Sequence, residues 1–253
     1  MTAYVASDGV RLHVEVGGPE DAATVVLVHG LAASTSLAWR MTGVLERLSA
    51  AGLRNIAYDA RGHGNSDSPH DPHSYGDLRL AADLAEVVDT FAGPDAVIAG
   101  YSLGATTVLF ALSTGVSVRG AVLGGTPTAV LRWSHRDEDE RGAAIDVLEG
   151  GATSDPAMRS WLAFLDATGS DKAALAAFLR GHRPEIQHWD RIRAPTVVAA
   201  GVDDVGAASP ADIVALLRYS KVLMLAGNHY TAVTDSAFTD AMVELTRISS
   251  DRG

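Results

Sequence analysis

Six short apolar runs recur along the sequence, and stretches with helical periodicity separate them. The runs are rich in β-branched side chains and do not alternate with polar residues: Thr24–Val28, Asn55–Tyr58, Ala96–Ala99, Ala121–Leu123, Thr196–Ala199 and Val222–Leu225. Such runs are typical of strands that are covered on both faces. Strand, helix and strand in this order predict right-handed crossovers and an open, mostly parallel sheet with helices on both sides. Ligands bind such sheets at the carboxyl ends of the strands.

The N-terminus departs from this pattern. Residues Arg11–Val16 alternate polar and apolar, which is typical of an antiparallel strand with one exposed face. A turn at Asp8-Gly9 would pair them with Thr2–Ser7 in a hairpin, because Asp-Gly accepts positive φ angles. Elsewhere, helical periodicity predicts helices at Leu37–Ala51, Leu78–Phe91, Leu103–Thr114, Pro210–Tyr219 and Ala232–Ile248.

Residues 126–190 contain no strand-like run. Apolar side chains recur there at helical spacing, first at Met158, Trp161, Leu162 and Leu165, then at Leu175, Phe178 and Leu179. We predict a helical cap insertion at 126–190, between an N-terminal core part at 1–125 and a C-terminal core part at 191–253. The apolar stripes either cover a pocket or pack only against other helices. The charged run Arg136–Arg141 is interpreted as a solvated helix face.

Length, charge and cysteine content exclude several classes of protein. A chain of 253 residues suits one domain with an insertion. Without cysteine there is no disulfide, no thiolate metal site and no cysteine nucleophile. A net charge of −11, from 20 Lys and Arg against 31 Asp and Glu, argues against nucleic acid as a partner. No basic and apolar leader begins the sequence, and no apolar run approaches ~20 residues, so we expect a cytoplasmic protein with no membrane partner.

One stretch joins an apolar strand, a tight turn and an apolar helix. The strand Ala96–Ala99 is followed at once by Gly100-Tyr101-Ser102-Leu103-Gly104 and then by an apolar helical segment. A strand that turns sharply into a helix strains its corner residue, and flanking glycines remove the clashes. Ser102 would then lie beside a helix N-terminus, where backbone N–H groups favour developing negative charge. This context indicates a serine nucleophile rather than a structural turn.

A serine nucleophile needs a base within hydrogen-bond reach and an acid that orients the base. Asp203 and Asp204 follow one predicted strand, and His229 follows the next. Both segments therefore lie at the edge of the sheet that carries Ser102. Loop aspartates often only bind backbone N–H groups, and loop histidines are often surface residues. Position and order nevertheless favour His229 as the base and one of the two aspartates as the acid.

These segments together resemble the α/β-hydrolase superfamily over nearly the whole chain. His29-Gly30-Leu31 is similar to the family's His-Gly oxyanion loop, although Ala32 and Ala33 stand where a further glycine is frequent. Residues 58–67 are similar to the Asp-Xaa-Arg-Gly-Xaa-Gly-Xaa-Ser turn of many members that carry a cap. From their chemistry alone, three side chains of these loops are interpreted as holding loop backbone by hydrogen bonds: His29, Asp59 and Arg61.

The resemblance implies a fold and a set of site residues. The fold would be a mostly parallel, doubly wound sheet with an N-terminal antiparallel hairpin and a helical cap. Ser102 would attack the substrate, His229 would take its proton, and Asp204, three residues after the glycine that closes its strand, would orient the imidazole. Leu31 and Leu103 would supply the backbone N–H groups of the oxyanion hole.

We therefore predict a carboxylesterase-like serine hydrolase that cleaves a carboxylic ester, a lactone or a related small acyl substrate, without cofactor or metal. A serine at this position argues against the haloalkane dehalogenases and epoxide hydrolases of this fold, whose nucleophile is aspartate. Two alternatives stay open: a ligand-binding or receptor protein with this fold, and a cofactor-free lyase or oxygenase that uses the same pocket. Six side chains of the cap are candidates for a partly apolar pocket wall: Trp133, Met158, Trp161, Leu162, Phe164 and Phe178.

Overall fold

The computed structural model describes residues 2–131, 135–207 and 209–248. Within these ranges the strands are β1 (Thr2–Val5), β2 (Arg11–Gly17), β3 (Thr24–Val28), β4 (Arg54–Tyr58), β5 (Val97–Tyr101), β6 (Gly120–Gly124), β7 (Thr196–Gly201) and β8 (Ser220–Leu225). They form one sheet in the order β1-β2-β4-β3-β5-β6-β7-β8. β2 is antiparallel to β1 and to β4, and the other neighbours pair in parallel. The predicted hairpin and parallel sheet are confirmed.

Helices cover both faces of the sheet. They are α1 (Val44–Ala50), α2 (Asp77–Phe91), α3 (Leu103–Ser113), α4 (His135–Leu148), α5 (Pro156–Thr168), α6 (Lys172–Arg180), α7 (Pro210–Val214) and α8 (Ser236–Thr246). Successive residues of β5 enter different cores: Ile98 packs with residues of α2 and α3, whereas Val97 and Ala99 pack with residues of α1 and α8. Because both faces are buried, these strands show no alternation in the sequence.

The predicted helix at Leu37–Ala51 is wrong in its extent. One helical turn spans Ser36–Arg40, and α1 begins only at Val44. Between them Gly43 has a φ of 75°, in the left-handed region. A glycine reaches that region at little cost, so the chain turns there and α1 starts in a new direction. The apolar periodicity continues across the break, which is why the sequence alone predicted one helix.

Two C-terminal helices are also shorter than the sequence predicts. The segment Pro210–Tyr219 is helical only over α7, and the segment Ala232–Ile248 is a short turn followed by α8. Asp235 separates that turn from α8, because its backbone is extended and its side chain accepts a hydrogen bond from the N–H of Ala237. An aspartate in this position is a helix N-cap.

Three helices, α4, α5 and α6, lie in the chain between β6 and β7. Asp155 and Asp171 cap the N-termini of α5 and α6 by accepting hydrogen bonds from backbone N–H groups two or three residues later. The buried face of α6 includes Leu175, Phe178 and Leu179, which join the core formed with α2 and α3. These helices therefore pack over the carboxyl edge of the sheet. Across the described ranges, no helix combines the length and the apolar character needed to cross a membrane.

Candidate active site

Ser102 lies in the sharp turn between β5 and α3. Its φ of 56° and ψ of −116° are a strained combination for a residue with a side chain. Glycines on either side leave room for the turn: a Cβ on Gly104 would lie 2.0 Å from the carbonyl oxygen of Val28, and one on Gly100 would lie 2.2 Å from the carbonyl of Gly104. The turn holds Ser102 at the carboxyl end of β5.

Adding a methyl group at Gly104 should therefore destabilise the fold. We expect Gly104→Ala to lower the free energy of unfolding by about 2–3 kcal/mol, because the contact is with backbone that cannot move aside. Gly142→Ala is the matched control, since Gly142 is also inside a helix but has nothing within 4 Å of its added Cβ. That control should gain about 0.5–1 kcal/mol. Urea unfolding measures both, and equal effects would contradict the crowding argument.

Three side chains from three loops form a hydrogen-bonded chain. Nδ1 of His229 donates to Oδ2 of Asp204 at 2.8 Å, and Nε2 of His229 lies 3.1 Å from Oγ of Ser102. A carboxylate only accepts hydrogen bonds, so Nδ1 carries the proton and Nε2 of the neutral ring presents its lone pair to the serine hydroxyl. This arrangement can withdraw a proton from Ser102 and keep the imidazole oriented.

Asp204, and not its neighbour Asp203, contacts His229. The Asp204 side chain is fully buried, and its second oxygen accepts hydrogen bonds from the N–H groups of Gly206 at 3.2 Å and Ala207 at 3.0 Å. Asp203 is exposed to solvent. The resemblance had favoured Asp204 over Asp203 as the acid, and Asp204 is the aspartate that the structure places against His229.

Tyr101 packs against His229, and sequence reasoning missed this contact. The two ring centroids are 5.6 Å apart, and the Tyr101 hydroxyl is buried without a hydrogen-bond partner among the described residues. Burial, with the charge of Asp204 as a second cause, raises the pKa of Tyr101 above its ordinary value. Tyr101 therefore stays neutral and acts as an apolar wall behind the imidazole.

Leu31 and Leu103 line the same cavity as Ser102. Leu103 is the first residue of α3. The N–H groups in the first turn of a helix have no helical carbonyl four residues earlier to bond to, and the N–H of Leu103 is one of them. The carbonyl of Gly30 accepts hydrogen bonds from Nδ1 of His29 at 2.8 Å and from the N–H of Ala33 at 3.2 Å. Because a trans peptide is planar, fixing that carbonyl also fixes the Leu31 N–H, which points the opposite way.

Hydrogen bonds hold the loop that contains Leu31. Nε2 of His29 accepts a hydrogen bond from the N–H of Ala60 at 2.9 Å, and burial lowers the pKa of His29, which keeps its ring neutral. Asp59 accepts from the N–H of Thr35 at 2.7 Å and from that of Asn65 at 2.9 Å. His29 and Asp59 thus bind loop backbone.

Arg61 is fully buried and anchors the following turn to the N-terminal hairpin and α2. All five of its N–H donors are bonded: two to Asp83 at 2.7 and 2.8 Å, two to Asp8 at 2.7 and 3.1 Å, and one to the carbonyl of Ser74 at 2.7 Å. The hydrogen bond from Arg61 holds the pKa of Asp8 at about 2, below its ordinary value. Arg61 makes four hydrogen bonds to side-chain carboxylates and one to a loop carbonyl. The sequence predicted only hydrogen bonds to loop backbone.

A cavity of about 360 Å³ opens above Ser102. Much of its wall is apolar, and among the side chains that form it are Leu103, Phe110, Val130, Leu131, Phe178 and Leu179. Thr106 also lines it, so the wall follows Ser102, Thr106 and Phe110 along one face of α3. Spacing of four residues places side chains on one helix face, and this signal was available in the sequence.

Of the pocket wall predicted from the cap, only Phe178 lines this cavity. Trp161 and Leu162 instead pack against the core, and Phe164 is 42% exposed. Met158 is half-buried outside the cavity wall, and Trp133 lies outside the described residues. A helical stripe in a sequence indicates a buried face but not what that face covers, and here most of the stripe of α5 packs against other helices.

Charged side chains form another part of the cavity wall. They are Asp77, Asp137, Glu140, Arg141, Arg183 and Glu185. The solvated-face interpretation of Arg136–Arg141 fits Glu138 and Asp139, which are exposed, but it is wrong for three members of the run that line the cavity: Asp137, Glu140 and Arg141. The sequence did not show which face of α4 would turn towards Ser102, because that face is as polar as its opposite.

The sheet order, the strained serine turn and the chain order Ser102, Asp204, His229 define the class of α/β-hydrolase folds. The alpha/beta hydrolase family model matches residues 25–244, and the chain therefore belongs to this family.

Two curated relatives each match less than half of this chain. The chain is 36% identical over 102 residues, or 40% of its length, to an epoxide hydrolase of Caballeronia sordidicola, and 36% identical over 104 residues, or 41%, to epoxide hydrolase A of Mycobacterium tuberculosis. These matches span 30% and 31% of those two proteins, so the chain covers less than a third of either.

Similarity to solved structures extends over nearly the whole chain. An esterase from Exiguobacterium antarcticum superposes with a TM-score of 0.78 at 21% identity, covering 98% of this chain and 99% of that one. An enol-lactonase from Burkholderia xenovorans gives 0.72 at 22% identity, with 96% and 99% covered. At this level of identity the likeness concerns the fold alone.

Proposed function

We propose that this protein is a serine hydrolase that cleaves a carboxylic ester, a lactone or a related small acyl substrate through an acyl-enzyme on Ser102. The hydrogen-bonded chain from Ser102 through His229 to the buried Asp204 carries this proposal. A hydroxyl is a weak nucleophile at neutral pH, and the base beside it supplies the activation that acyl transfer requires.

In the first step, Oγ of Ser102 bonds to the substrate carbonyl carbon while Nε2 of His229 takes the hydroxyl proton. The carbonyl oxygen becomes an oxyanion, and the N–H groups of Leu31 and Leu103 are the donors proposed to stabilise it. The bond from carbon to the leaving oxygen then breaks, and the imidazolium returns its proton to that oxygen. Asp204 stabilises the transient positive charge on His229.

The second step repeats the first with water. Nε2 of His229 takes a proton from a water molecule as the water oxygen bonds to the acyl carbon. The bond between that carbon and Oγ of Ser102 then breaks, and Ser102 regains its proton from His229. The products are a carboxylic acid and the alcohol released earlier; a lactone gives one hydroxy acid.

The identity of the nucleophile supports acyl chemistry over epoxide opening, although curated relatives are named epoxide hydrolases. If Ser102 opened an epoxide, the product would be an ether on Oγ, and water does not cleave an ether under these conditions. With an acyl substrate the product is an ester, which His229 and water can hydrolyse. Turnover therefore requires an acyl substrate.

A fluorophosphonate probe tests this proposal, because the probe reacts covalently only with an activated serine. We expect stoichiometric labelling of the purified protein, mapped by peptide mass spectrometry to Ser102, and loss of 4-nitrophenyl butyrate hydrolysis in the labelled protein. An unlabelled Ser102, or labelling without ester hydrolysis, would contradict the proposal. An unlabelled Ser102 would favour a ligand-binding protein or a lyase that does not use the serine as a nucleophile.

A further inference from the structure

Arg183 forms part of the wall of the cavity above Ser102, three residues after α6 ends. Its side chain is only 19% exposed, and its guanidinium lies 5.1 Å from the centre of the Phe178 ring. One hydrogen bond holds it: Nη1 donates to Oδ1 of Asp77 at 3.4 Å. Its Nε is buried with no hydrogen-bond partner among the described residues.

Arg61, the other buried arginine described above, is held quite differently. Arg61 uses every N–H donor in hydrogen bonds of 2.7 to 3.1 Å, whereas Arg183 makes one hydrogen bond with the described residues, at 3.4 Å. A covered guanidinium with so few hydrogen bonds is costly, because it has lost water without an equivalent replacement. Burial accordingly lowers the pKa of Arg183 despite the nearby Asp77. An acceptor inside the cavity would offset that cost.

A second guanidinium faces the same cavity from α4. Arg141 lines it together with Arg183, while also pairing with Glu138 at 2.5 Å in its own helix. The Arg141 charge is close enough to contribute to the lowered pKa of Arg183. Two like charges in a partly apolar wall repel each other, and an anion between them would relieve that repulsion.

Carboxylates in the wall restrict which anion fits. Asp77 lies beside Arg183, Glu185 is exposed, and Asp137 and Glu140 line the cavity from α4. Asp137, Glu140 and Glu185 repel negative charge in their part of the cavity, whereas the guanidinium of Arg183 attracts it, so a single anionic group would be directed to Arg183. A planar carboxylate matches the fork of guanidinium donors and can accept two parallel hydrogen bonds.

We propose that the acyl substrate carries a carboxylate at the end remote from its scissile carbonyl, and that Arg183, assisted by Arg141, binds it. This inference rests on the proposed serine hydrolase function. The apolar wall along α3, from Ser102 to Phe110, spans about 12 Å at 1.5 Å per residue, which is long enough for a short methylene chain. The substrate class is thus an ester or lactone of a dicarboxylic acid that is ionised at one end.

Matched ester pairs test the preference. Mono-4-nitrophenyl esters of glutaric, adipic, pimelic and suberic acid are compared with 4-nitrophenyl esters of monocarboxylic acids of equal chain length. We expect the ratio of kcat/KM, anionic over neutral, to exceed 10 at the best length, and Arg183→Gln to lower that ratio about 10- to 100-fold. Arg141→Gln, on α4, should lower the same ratio by a smaller factor.

Arg180→Gln is the matched control, because Arg180 is on α6, pairs with the exposed Glu149 and does not line the cavity. It should leave the ratio unchanged. A wild-type ratio near 1, or a ratio that Arg183→Gln and Arg141→Gln leave unchanged, would overturn the inference. Urea unfolding of each variant shows whether a loss of activity reflects loss of the fold.

Binding without hydrolysis separates this inference from the proposed function. The Ser102→Ala protein is titrated by calorimetry with adipic acid monoamide, which has the carboxylate but no cleavable ester. We expect saturable binding, with Kd at least tenfold higher when Arg183→Gln is added. No binding at millimolar concentration would overturn the carboxylate site. Binding in a protein whose serine does not label would instead reject the hydrolase proposal and retain the site.

Discussion

Replacing Ser102 by alanine should lower kcat on 4-nitrophenyl butyrate by about 10⁶, the loss typical of removing the nucleophile of a serine triad. Without Oγ no acyl-enzyme forms, and His229 has no hydroxyl to deprotonate. The residual rate acceleration would come from substrate binding and from the oxyanion donors, and it is far smaller than the acceleration from the complete triad. Single-turnover kinetics with excess protein measure the residual rate.

The variant should fold normally, which separates chemistry from stability. Ser102 has a φ of 56°, but an alanine in this chain, Ala32, has a φ of 57°. Serine and alanine also carry the same Cβ, so the backbone at position 102 is equally strained with either, and we expect the free energy of unfolding to stay within about 0.5 kcal/mol of wild type. Turnover within tenfold of wild type by the purified variant would remove Ser102 from the mechanism.

Asp204→Asn should lower kcat by about 10⁴. One carboxylate oxygen of Asp204 accepts hydrogen bonds from the N–H groups of Gly206 and Ala207, and only an oxygen can take that position. The amide nitrogen of asparagine would therefore face His229 and donate to Nδ1. The ring would then carry its proton on Nε2, the atom that must accept the proton of Ser102.

The neighbouring aspartate is the matched control. Asp203→Asn makes the same chemical change one residue away, at an exposed side chain, and should leave kcat within about twofold of wild type. Steady-state kinetics of the two variants on one ester make the comparison. Equal losses at both positions, or a larger loss at Asp203, would contradict the assignment of Asp204 as the acid.

Much of the fold could be predicted because burial on both faces leaves a strong mark on a strand. Residues 24–28 and 196–199 are a threonine followed by apolar residues, and they form β3 and the first part of β7. Helix ends were harder to predict. The break at Gly43 and the cap at Asp235 depend on backbone angles and a single side-chain hydrogen bond, which do not interrupt the apolar periodicity.

The candidate site divides in a similar way. Ser102, His229 and the pair of aspartates could be named from motifs at strand ends, because parallel strands bring their carboxyl ends to one edge of the sheet. Residue spacing also favoured Asp204 over Asp203, and the structure shows that Asp204 is the aspartate in contact with the imidazole. Its role as the catalytic acid stays a prediction. The cap was less predictable, since most of its apolar stripe packs away from the cavity.

The sequence by itself determined the sheet, its hairpin and the sharp turn that carries Ser102, since these depend on local hydrophobicity and on the glycines that a sharp turn requires. Only the tertiary structure decided which side chains surround Ser102, and it brought Asp204, which residue spacing had favoured, into contact with His229. Those contacts join residues 25 to 127 positions apart in the chain, as Asp204, Ser102 and His229 do. They arise from packing of separate elements, which leaves no periodic signal in any one segment.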